Sequence, residues 1–86
     1  MTRYRIQGRE PRHTIVLGWD RPLQTYFAQV WDRTRNSEHP VLWLGTSFGE
    51  VSSCERLGQL LTHYAAIPED LRTQLTRDRE SPPEPG

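Results

Sequence analysis

Either side of Asp20-Arg21-Pro22, apolar residues recur at every second position: Ile15, Leu17 and Trp19 before it, Tyr26, Ala28 and Val30 after it. A period of two is the signature of a strand with one buried face. Proline pre-sets the φ that a type I turn needs at its second position, so the two runs predict one hairpin over residues 14–32. Folding about that turn pairs Trp19 with Tyr26, Gly18 with Phe27, Leu17 with Ala28, Val16 with Gln29, Ile15 with Val30 and Thr14 with Trp31. A slip of one residue would turn the whole apolar set outward, which fixes this register.

Val41-Leu-Trp-Leu44, closed by Gly45, predicts a third strand after a short polar loop, and so short a connection favours an antiparallel meander. A register centred on Asn36 sets Val30 opposite Leu42 and Ala28 opposite Leu44. It also sets Trp31 opposite Val41, Gln29 opposite Trp43 and Phe27 opposite Gly45. Residues 3–6 alternate and could supply a fourth, edge strand. Ser52-Ser-Cys-Glu55 has the form of a capping box, and Leu57, Leu60, Leu61 and Tyr64 follow at helical spacing, predicting an amphipathic helix from 53 to about 66. Pro68, with Glu69 and Asp70 behind it, opens a shorter helix to about Arg77. The fold class is α+β: a three-stranded antiparallel meander, or four-stranded with residues 3–6, carrying one amphipathic helix on one face and a short second helix.

Composition trims this picture at its ends. The hydrophobic share is 34% and the mean hydropathy −0.80, and residues 77–86 contain three prolines and no apolar residue. We therefore expect a flexible basic segment over 1–13, one domain over 14–76 and a disordered tail over 77–86. A single cysteine, Cys54, excludes an internal disulfide and the disulfide-rich secreted class. No apolar run approaches membrane-spanning length, and a cytoplasmic location follows by default. Charge is zero overall but polarised. Residues 1–36 hold seven arginines against three acids, +4, and residues 37–86 hold four against eight, −4.

The second face of the predicted sheet gathers Val16, Phe27, Trp31, Val41 and Trp43, where a water-facing surface would alternate to polar residues. Three accounts fit it. The second helix (Leu71, Leu75) or the N-terminal segment (Tyr4, Ile6) covers it, a second copy packs on it, or it is an aromatic platform for a ligand or for nucleic-acid bases. Phe27, opposite Gly18 and Gly45, also fits the structural role of an aromatic ring covering cross-strand glycines. Arg3, Arg5, Arg9 and Arg12, with Arg33 and Arg35 in the next loop, form a basic set suited to phosphate; a solvated terminus explains the first four equally.

Catalytic patterns are missing. Cys54 in a helix first turn has His63 half a turn away round the helix, and three scattered histidines give no metal-ligand spacing. The serines fit no nucleophile elbow, and Asp20 and Asp32 read as turn and edge residues. No catalytic residue, cofactor or metal is expected. The segments 18–30 and 40–45 resemble a group of small bacterial open reading frames, some plasmid-borne, that share a GWDxPLxT(Y/F)FAQV hairpin; the resemblance implies a bacterial origin and no activity. The leading expectation is a non-enzymatic protein–protein interaction module, with a protein partner or a second copy (a homodimer) on Val16, Phe27, Trp31, Val41 and Trp43. The alternative is a regulatory nucleic-acid-binding protein using Arg3, Arg5, Arg9, Arg12, Arg33 and Arg35. No membrane partner is expected.

Overall fold

A computed structural model describes residues 2–35 and 39–80. It contains four strands, β1 (Tyr4–Gln7), β2 (His13–Asp20), β3 (Thr25–Asp32) and β4 (Leu42–Leu44), followed by helices α1 (Cys54–Leu60) and α2 (Glu69–Glu80). The strands form one open antiparallel sheet in the order β1-β2-β3-β4. Between β2 and β3 the Gln24 amide donates to the Arg21 carbonyl at 3.1 Å, which puts Pro22 at the second turn position. All predicted hairpin pairs are present, from Thr14 opposite Trp31 to Trp19 opposite Tyr26. The β3–β4 register is also as expected for Ala28–Leu44, Gln29–Trp43 and Val30–Leu42, although β4 begins one residue later, at Leu42. Its centre, Asn36, lies outside the described residues.

Ile15, Leu17, Trp19, Tyr26, Ala28 and Val30 form one side of the core, with Trp19 and Tyr26 meeting edge to face at 4.9 Å. Leu57 and Leu61 from the α1 region, Ala65, and Leu75 of α2 close over that side. Val51, just before the capping-box residues, is fully buried there. Its amide donates to the Thr25 hydroxyl oxygen at 2.7 Å and its carbonyl accepts from the Tyr26 amide, so it prolongs the sheet beyond β4.

Four sequence expectations need correction. First, Tyr4 pairs with Leu17 and Ile6 with Ile15, so residues 4–7 form the fourth, edge strand that the alternation of 3–6 allowed, and the segment 1–13 is not set apart from the sheet. Second, both helices and the Tyr4 and Ile6 side chains pack on the Ile15/Tyr26 side, so neither Leu71 and Leu75 nor Tyr4 and Ile6 cover the second face. Third, α1 stops at Leu60. Arg9 binds the chain just beyond it, its amide on the Tyr64 carbonyl at 2.7 Å and its Nε on the Thr62 carbonyl at 2.9 Å. The Thr62 carbonyl is one that a helix continued to 66 would use itself, whereas the Tyr64 carbonyl stands four residues before Pro68, which has no N–H to give it. The N-cap is Ser53, whose hydroxyl accepts from the Arg56 amide, and not Ser52. Fourth, α2 runs to Glu80, where the Tyr4 hydroxyl donates to Asp78 at 2.6 Å and ties its last turn to β1. The remainder of the expected tail, residues 81–86, lies outside the described residues.

Tyr26 links sheet to helix. Its ring is buried and its hydroxyl donates to the Leu75 carbonyl at 3.0 Å. Burial, with a smaller contribution from Cys54, pushes its pKa from 10.0 up to about 12. An unfolded chain would release this proton near pH 10 and the folded one only near 12. Stability is therefore complete below pH 10 and falls between pH 10 and 12, by roughly 2 kcal/mol for this group. Urea midpoints measured across that range should drop, and Tyr26→Phe should flatten the drop while lowering neutral-pH stability by about 1 kcal/mol. An equal alkaline loss in the variant would assign the transition to another group.

Candidate helix-free sheet surface

Alternation along four strands decides what the second face carries. From β1 come Arg5 and, one residue before the strand, Arg3; from β2 come Thr14, Val16 and Gly18; from β3 come Phe27, Gln29 and Trp31; from β4 comes Trp43. Arg33 follows Trp31 at the same parity. Among the described residues no helix packs on this side.

The expected contact set divides by depth. Trp43 is 55% exposed and Val41, just before β4, is 38% exposed, whereas Val16 and Phe27 are buried at 8% and 6%. The burial of Phe27 has a local cause. A Cβ on Gly18 would strike the Thr2 carbonyl, so residue 2 lies directly over Gly18, and the Phe27 ring stands beside the same spot. Thr2 is held there by its amide on the Trp19 carbonyl and by the Trp19 amide on its hydroxyl, both at 3.1 Å. Phe27 thus fills the space between cross-strand glycines, and the accessible aromatic surface is that of Trp43 and the half-buried Trp31. The Trp31 indole N–H donates to the Gln29 side-chain oxygen at 3.2 Å, which orients the ring on the sheet.

The six arginines of the basic set separate into two groups. Arg3, Arg5 and Arg33 are exposed and line two shallow hollows that share Arg5, Val16 and Trp31. These three make no ion pair among the described residues, and no Asp or Glu lines either hollow. The other three are engaged elsewhere. Arg9 holds the chain beyond α1, Arg12 lies 2.7 Å from Glu10 and 4.0 Å from Asp32, and Arg35 lies 3.7 Å from Asp32. The Asp32 carboxylate is itself held below its usual range by the Thr34 hydroxyl and amide, with smaller help from Arg12 and His13.

The remaining reactive groups stand apart. Cys54 Sγ is 4.0 Å from the Arg72 carbonyl, and His13 packs edge-on against Tyr64 at 5.4 Å with its Nδ1 3.7 Å from Glu10. Among the described residues no group of three or more His, Cys, Asp or Glu is placed to hold a metal ion, and no helix is long and apolar enough to cross a membrane. Phe48, 72% exposed between Ser47 and Gly49, escaped sequence reasoning because a lone aromatic in a turn has no periodic partner to mark it. No family model matches the chain, and no curated protein or solved structure is detectably similar to it.

Proposed function

We propose that this chain is a non-enzymatic interaction module that grips a negatively charged partner on the helix-free face of its sheet. One observation carries the reading: among the described residues, three arginines without an ion pair share that face with Trp31 and Trp43, and no carboxylate lines its hollows. Guanidinium groups supply bidentate contacts to carboxylate or phosphate, and exposed indole supplies apolar contact area. The same charge argues against a face-to-face homodimer. Two copies would bring six arginines into one interface with no carboxylate of the described residues lining it, and like charges brought together cost on the order of 2 kcal/mol or more.

Heparin chromatography tests the charge. The wild type should be retained and elute with salt, and the triple variant Arg3→Ala/Arg5→Ala/Arg33→Ala should pass through. The control Arg9→Ala/Arg12→Ala/Arg35→Ala removes the same formal charge and should still be retained. Equal loss in both variants would reduce the effect to net charge and end the assignment to this face. Sedimentation should give a monomer at all concentrations; a dimer dissolved by Trp43→Ala would replace the anionic partner with a second copy.

A further inference from the structure

We infer that the partner on this face is a single-stranded nucleic acid, its bases stacked on Trp43 and Trp31 and its phosphates on Arg3, Arg5 and Arg33. The inference rests on the anionic-partner reading and narrows it.

Three features of the surface favour a nucleic acid over an acidic peptide. The rings and the cations lie in order across the strands, Trp43 on β4, Trp31 on β3, the arginines at and beyond the β1 side and at the end of β3. A single strand can therefore turn its bases toward Trp43 and Trp31 and its sugar–phosphate backbone toward the arginines. Next, Gln29 stands between the two indoles, opposite Trp43 and bonded to Trp31, and its amide N–H₂ donors are suited to a base edge. Finally, acidic peptides need only the cations, which leaves a half-exposed Trp43 without a purpose.

Geometry also selects single strands over duplex. Trp43 and Trp31 sit diagonally across adjacent strands, roughly 7–8 Å apart at their backbones. That is about twice the 3.4 Å step of a stacked strand in a duplex. Bases must separate from one another to reach both rings, which a paired helix resists and a single strand permits. A broad sheet face also has no element to enter a groove, so duplex could touch only the arginines.

The test is a tryptophan-fluorescence titration of the full chain with an oligothymidylate of about a dozen nucleotides, its duplex with oligodeoxyadenylate, heparin and polyglutamate. Single strands are expected to quench the emission and bind more tightly than duplex at equal salt. Trp43→Ala, at a side chain too exposed to threaten the fold, should weaken single-strand binding roughly 5- to 150-fold, the range for loss of a stacking ring, and leave heparin binding unchanged. Trp43→Phe should recover most of it. If single strand and duplex bind alike and Trp43→Ala changes neither, stacking is wrong while the anionic-partner reading stands. Binding of polyglutamate alone overturns the nucleic acid in favour of an acidic protein. If none of the four binds, both readings fall.

Discussion

Replacing Leu75 by alanine is expected to unfold the domain at physiological temperature. Leu75 is the buried residue of α2, fully enclosed against the Ile15/Tyr26 side of the sheet, and its carbonyl receives the Tyr26 hydroxyl. The rest of α2 is largely polar: Glu69, Asp70, Arg72, Thr73, Gln74, Thr76 and Arg77 are exposed. Leucine-to-alanine changes in cores cost roughly 2–5 kcal/mol, rising with the cavity left behind. A domain of this size has a total stability nearer 5 than 15 kcal/mol. Loss of the anchor also frees the helix, so its remaining contacts, the Tyr4–Asp78 bond included, lose their support. Urea unfolding followed by far-ultraviolet dichroism and by tryptophan emission should show both signals lost together at a much lower midpoint. A midpoint shift worth less than about 1 kcal/mol would mean that α2 is decoration and that α1 alone seals the core.

Gly45→Ala is expected to be nearly as damaging, and Gly49→Ala mild, although both glycines have positive φ. Gly45 adopts φ +80° at the exit of β4, where an added Cβ would collide with the Tyr26 carbonyl and crowd Phe27. Gly49 has φ +65° and open space around its missing side chain. The left-handed backbone alone costs an alanine about 1–2 kcal/mol, and that is all Gly49→Ala should show. At position 45 the β3 backbone must also move, which would break the Gly45 amide bond to Glu50 at 2.6 Å and displace Val51 from the Tyr26 edge. A loss of about 3 kcal/mol or more, or failure to accumulate as soluble protein, is the expected result. Equal destabilisation by the two substitutions would show that φ dominates and that the close approach to β3 is relaxed.

The sheet was open to reading because two independent constraints agreed. The period of two named the buried face, and Pro22 named the turn, so every cross-strand pair from Thr14–Trp31 to Trp19–Tyr26 followed. The Ala28–Leu44 pairing followed from the same face. The ends of elements were harder, since distant partners decide them. Arg9, more than fifty residues away, takes the carbonyls at which α1 gives out. Thr25 draws Val51 into the sheet edge, and the helix cap then falls on Ser53 and not on the equally plausible Ser52. For the candidate surface, sequence supplied the residue types but not their grouping. Tyr4 and Ile6 alternate with Arg3 and Arg5, so once β1 is known to put Tyr4 beside Leu17, the arginines must lie with Trp31. Without that register they read equally as a phosphate-binding set and as a solvated terminus. Nor could spacing reveal that Thr2 lies over Gly18 and leaves Phe27 buried.

The wall that closes the core is synthesised after the sheet it covers. When residue 44 has been joined, the four strands are complete, yet Leu57, Leu61 and Leu75 do not exist and Ile15, Leu17, Tyr26 and Val30 face water. A nascent chain at that stage is an adhesive ribbon whose bare side can meet another nascent chain as readily as its own helices. A premature stop before Glu69 would therefore yield aggregate and not a smaller working module, and slow translation of residues 45–80 would lengthen the window for that failure.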